Sequence, residues 1–222
     1  MAIPTEIESA WNFLHGEVTW LHGRWYIYRQ LYGTSEYRIE ALNKVAPTFF
    51  GSLQDILVDD VQLTLSRLAD PAQTGRFQNL TLETLAQEIM DAGHKALAAD
   101  LLGRLGDYRD KCRAILERRN KRLAHYDRVT HEADRAEALR GPSRAEIESA
   151  LDSLRIFMRR VHEYFEHSYM AYEQFVLQTS AENLIYAIAR ALRYAELVDS
   201  GKIDFVDLFE SDAFRRLRNG PA

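Results

Sequence analysis

The chain has 222 residues, 46% hydrophobic and 27% charged, with 11 Gly and 5 Pro, which is globular and too apolar for a disordered polymer. Its net charge of −5 excludes a protein that coats nucleic acid over its whole surface, so a polyanion has to be met by a local basic patch. No apolar run reaches the roughly 18 residues a membrane span needs. The start Met1-Ala2-Ile3-Pro4-Thr5-Glu6 lacks a secretory leader's basic and apolar regions, and the single Cys112 has no cysteine to pair with, so a cytoplasmic protein without membrane contact is expected.

From Ile7 the apolar residues fall at Trp11, Leu14, Val18, Leu21, Trp25 and Tyr28, a four-three spacing that places one stripe on one helix face. Thr5 with Glu8 reads as a capping box at its start and Gly33 as its stop. The pattern resumes over roughly 35–69 through Ile39, Leu42, Phe49, Leu53, Ile56 and Leu68, with a kink or restart expected at Pro47, which has no amide proton. Asp70-Pro71-Ala72-Gln73-Thr74-Gly75 reads as a loop, after which Thr81 caps a helix carrying Leu82, Leu85 and Ile89. Gly93, Gly103 and Gly106 weaken the next stretch, and Tyr108, Cys112 and Ile115 restore helical spacing, with Cys112 a packing residue.

The polar region 127–141 reads as an exposed connection. Ser143 with Glu146 forms a second capping box, opening a long helix with the stripe Ile147, Leu151, Leu154, Met158, Val161, Phe165 and Tyr172. A last helix, about 181–198, precedes a tail whose Phe205, Leu208 and Phe209 are expected to dock on the bundle. No run alternates with period two, and turn signals lie about twenty to thirty residues apart. The reading is all-α: one domain over 1–222, an up-and-down bundle of four to six helices, with 200–222 as its tail.

The stripe Tyr108, Cys112, Ile115 continues to position 119 and then Leu123 and Tyr126, so Arg119 stands where an apolar residue is expected. An inward guanidinium needs an acceptor, because an unpaired buried charge costs several kcal/mol. Either a structural salt bridge or an anion site facing a groove or second subunit meets that need. Lys111, Arg113, Arg118, Arg119, Lys121 and Arg122 are opposed within the span only by Glu117, a basic patch suited to phosphate. His125 adds a group that donates and accepts protons near neutrality.

Arg119-Asn120-Lys121-Arg122-Leu123-Ala124-His125 resembles the signature of HEPN domains (higher eukaryotes and prokaryotes nucleotide-binding): an Arg, usually a polar neighbour, then a His after four to six positions. Leu65-Ser66-Arg67-Leu68-Ala69-Asp70-Pro71, Asn79-Leu80-Thr81-Leu82 and Ala124-His125-Tyr126-Asp127 extend the likeness to the abortive-infection AbiU-type HEPN proteins over roughly residues 5 to 175. The resemblance implies a helical bundle that dimerises around a shared cleft and, in many members, cuts RNA without metal. It implies His125 as general acid or base, Arg119 as stabiliser of phosphorane charge and Asn120 as a positioning group. Arg113, Arg118, Lys121 and Arg122 are the expected RNA contacts. On one helix, residues six apart differ by about 9 Å along the axis and about 120° around it, so Arg119 and His125 do not converge unaided, and a partner chain can supply the missing face.

The expected function is that of a metal-independent endoribonuclease acting in phage defence or as a toxin, with a homodimeric partner, RNA as substrate, a neutralising antitoxin as a further partner and no cofactor. A non-catalytic HEPN dimer binding nucleotide, RNA or protein is the alternative. His162 and His167 are five apart, whereas metal ligands on one helix face need a spacing of four, so no metal site is expected there. His15 and His22 share a face near Trp11 and Trp25 and read as packed or interfacial; Tyr164, Phe165, Tyr169, Tyr172 and Phe175 read as one helical aromatic row; Arg67 and Asp70 read as a local pair or a support for the following loop, with a direct role at the cleft as the alternative.

Overall fold

Eight helices and one small hairpin make up the described part of the chain, residues 3–120 and 142–204 of a computed structural model. They are α1 (Thr5–Tyr32), α2 (Glu36–Val45), α3 (Pro47–Ala69), β1 (Gln73–Thr74), β2 (Phe77–Gln78), α4 (Leu82–Asp91), α5 (Lys95–Lys111), α6 (Arg113–Arg118), α7 (Arg144–Phe165) and α8 (Ala181–Asp199). The protein is all-α. The tail residues Phe205, Leu208 and Phe209, the connection 127–141, and Lys121, Arg122 and His125 lie outside the described residues.

The chain sorts into two compact units, one from residues 1–28 and 53–177, the other from 29–52 and 178–222. In the first, the α1 stripe Ile7, Trp11, Leu14, Val18, Leu21 and Trp25 shares a single core with residues of α3, α4, α5 and α7, and α4 and α7 both pack along α5. Burial of that stripe, at 4% exposure or less throughout, is what makes the long α1 stable. The second unit packs α2 against α8. Both ends of the Arg38 guanidinium meet the Glu182 carboxylate, at 2.7 and 2.8 Å, and Gln30 takes the orphan N–H of Ala181 at the start of α8, at 3.1 Å.

Local chemistry sets the boundaries. Pro47 occupies the first position of α3, where its missing N–H costs nothing, so the chain restarts rather than kinks. Thr81 and Ser143 cap α4 and α7, each with reciprocal bonds to the third helical residue, Thr84 and Glu146. Thr5, in contrast, lies inside α1: the carbonyl of Pro4 already accepts the Ile7 N–H, so the expected cap at Thr5 is displaced. The loop expected over 70–75 contains β1, which pairs with β2 around Gly75 and Arg76; Gly75 has φ +58°, as a tight two-residue hairpin turn requires. Finally, α7 stops at Phe165, and His167 takes φ +52°, so Tyr169, Tyr172 and Phe175 belong to a non-helical segment, not to a continued aromatic row.

Candidate functional site

The inward row extends beyond α5 as the spacing requires. Tyr108, Cys112 and Ile115 are fully buried, and the Tyr108 hydroxyl donates to the Leu65 carbonyl at 2.7 Å. Burial holds the Tyr108 hydroxyl far above its ordinary range and pushes the Cys112 thiol up to about 12, so neither titrates near neutrality. After α6 the backbone widens into a π-type turn at residues 119–120, a form that often re-aims side chains at sites.

Arg119 is turned inward, with 19% of its side chain exposed, and its Nη1 donates to Asp70 Oδ1 at 2.5 Å. Its Nε donates to the side-chain carbonyl of Asn120 at 3.1 Å. Nη2 has no hydrogen bond among the described residues, so the fork retains donors for an incoming anion. Arg67 does not pair with Asp70: its side chain is exposed and hydrogen-bonded to nothing described, while the Asp70 carboxylate turns to Arg119.

Asp70 follows α3, whose last carbonyls would otherwise be orphaned. Arg109 of α5 satisfies them, donating from Nε to the Ala69 carbonyl at 2.9 Å and from Nη2 to the Asp70 carbonyl at 3.4 Å. The same Nη2 reaches Glu83 Oε2 at 3.1 Å, and Glu83 also accepts the Ala72 N–H at 2.8 Å. Burial acts to raise the Glu83 carboxyl, and the Ala72 N–H and Arg109 outweigh it and bring it below its usual value. The backbone carrying Asp70 is thus pinned on both sides.

The basic patch is less naked than the local sequence suggests. Arg118 donates from Nη2 to Asp59 at 2.8 Å with 19% of its side chain exposed, so its charge is already partly met within the protein. Arg113 pairs with Asp110 at 2.8 Å but is 81% exposed, and Asn120 is exposed beside Arg119. Asp59 and Asp70 come from α3 and the residue after it, out of reach of any local reading.

A second polar constellation, drawn from residues far apart in sequence, forms around Tyr172. Its hydroxyl lies 2.8 Å from His15 Nδ1 and 3.2 Å from His162 Nε2, while His162 Nδ1 meets Glu166 at 2.6 Å. Trp11 stacks on His15, and the ring of His22 lies 5.6 Å from that of Tyr172. These histidines are packed, and no group of three or more His, Cys, Asp or Glu among the described residues is arranged to hold a metal ion. The pairing of His15 and His22 on one face was the visible signal; Tyr172 was hidden by its place outside the helix.

Among the described residues, Arg119 and Asn120 thus stand at the end of the inward row. The family model for AbiU2-type HEPN domains matches residues 5–185, and the chain belongs to that family. No curated protein and no solved structure matches the chain.

Proposed function

We propose that the chain is a HEPN endoribonuclease that cleaves RNA without a metal ion, acting in phage defence or as a toxin. The observation that carries this reading is Arg119, drawn inward onto Asp70 yet with Nη2 uncommitted, in the stretch whose sequence resembles the HEPN signature. In this reading the ribose 2′-hydroxyl gives up its proton as its oxygen bonds to the adjacent phosphorus, the bond from phosphorus to the 5′-oxygen breaks, and that oxygen leaves having taken up a proton. His125 moves one of those protons, and the Arg119 fork stabilises the charge that builds on the non-bridging oxygens. Asn120, fixed on Arg119 Nε, orients the scissile group. Arg113, Lys121 and Arg122 supply salt-dependent attraction for the backbone, with Arg118 in a lesser role because Asp59 already holds it.

The site is completed by a second copy of the chain, because residues spaced as Arg119 and His125 are would not converge on a regular α-helix; an antitoxin that neutralises the enzyme would cover the same patch. Incubation of the pure protein with total cellular RNA tests the reading. Fragments expected from wild type and absent with His125→Ala support it. Tight RNA binding with no turnover in wild type would instead identify a regulatory HEPN module.

A further inference from the structure

We infer that Asp70 is a positioning residue for Arg119, setting the direction in which its guanidinium meets the phosphate; this rests on the nuclease reading above. Three features of the structure point to it. The carboxylate is placed by a backbone that Arg109 holds at the Ala69 and Asp70 carbonyls, with the Asp70 N–H donated to the Arg67 carbonyl at 3.2 Å. Arg109 is in turn held by Glu83, which also fixes Ala72, so the aspartate stands on a four-point clamp rather than on a free loop end. The Asp70–Arg119 pair is also partly open, 28% and 19% exposed, so a phosphate can reach it.

The arrangement suits guidance better than stabilisation. Ion pairs in contact with water contribute little to stability, and Arg119 is not sealed in the core. What the pair does accomplish is geometric. A guanidinium on a flexible stem has many rotamers, and fixing Nη1 on Asp70 and Nε on Asn120 limits them while leaving Nη2 without a bond among the described residues. Holding a charge-stabilising donor in place before the substrate arrives lowers the reorganisation needed in the transition state, and a misplacement of about 1 Å can cost a hundredfold. Lysine at 119 would keep the charge but lose the planar fork that both partners read.

The test is a double-mutant cycle on a 5′-labelled single-stranded RNA oligonucleotide. Asp70→Asn keeps the shape and removes the charge; it should lower kcat by ~10- to 100-fold with KM changed much less, and Asp70→Glu should recover part of the loss. In the Arg119→Ala background, Asp70→Asn should add nothing, because its effect passes through the missing guanidinium. Full additivity there, or an unchanged kcat in Asp70→Asn, overturns the inference. Should wild-type protein prove inactive on all RNA, the nuclease reading fails, and the positioning role is then decided separately by the side-chain NMR of Arg119. Slow guanidinium rotation in wild type and fast rotation in Asp70→Asn upholds it; identical spectra sink it.

Discussion

Nε2 of His22 lies 3.3 Å from Nη1 of Arg155, which makes that nitrogen an acceptor and assigns the proton to Nδ1, facing the Val18 carbonyl at 2.8 Å. His22 is therefore neutral in the folded chain. Burial is the main cause that lowers its pKa to about 4; the Val18 bond and Glu173 oppose this, and Arg155 and Arg159 reinforce it. Below pH 6.5 the unfolded chain takes up a proton that the folded chain refuses, so this contribution to stability is complete above pH 6.5 and lost between 6.5 and about 4. Its full size is about 3 kcal/mol. Urea midpoints measured from pH 7 to pH 4.5 should fall, and His22→Gln should flatten the fall; equal slopes would refute the assignment.

Cys112 is fully buried with its thiol pushed up to about 12, so almost no thiolate exists at pH 8. Native protein should fail to react with Ellman's reagent on the minutes timescale, and the same sample in urea should titrate one thiol. Rapid native reaction would show that the row through Tyr108, Cys112 and Ile115 opens.

Arg38 gives two parallel bonds to Glu182 and a third, at 2.6 Å, to the carbonyl of Gln30. Arg38→Ala should cost about 1.5–3 kcal/mol, the usual range for a bond to a charged partner. Arg38→Lys should recover only part of this, because an ammonium cannot make both bonds. Chemical denaturation of the two variants checks it, and full recovery by lysine would mean that charge alone matters.

Cleavage by attack of the 2′-hydroxyl leaves a 2′,3′-cyclic phosphate and a 5′-hydroxyl. DNA and RNA methylated at the scissile 2′-oxygen should survive. EDTA should leave the rate unchanged. His125→Ala should slow turnover by roughly a hundred- to ten-thousand-fold, and Lys121→Ala should mainly weaken binding, most at low salt, with a shallower dependence of affinity on salt. Products with 5′-phosphates would exclude this chemistry.

Much of this was legible in the residues. The caps at Thr81 and Ser143 carry their own chemistry, and the stripes of α1 and α7 are periodic enough to fix which face is buried. Thr5 misled because a capping pattern does not reveal that the preceding carbonyl of Pro4 has already taken the first helical bond. Two-residue strands are too short to display a period, so β1 and β2 were invisible. The anomaly of Arg119 could be seen from spacing, but its partner could not: Asp70 is 49 positions away, and Tyr172 meets His15 across 157. Local patterns report faces and ends; pairs that the tertiary fold brings together leave no trace in a single sequence.

The second unit is assembled from residues 29–52 and 178–222, on either side of all of 53–177. On a ribosome adding about 5–20 residues per second, its first half emerges on the order of ten seconds before its second. Through that interval α2 has no α8 to cover it, and Arg38 has no Glu182. The stretch from Arg29 to Ser52 thus waits uncovered in the nascent chain and becomes resistant to proteases only once α8 has emerged.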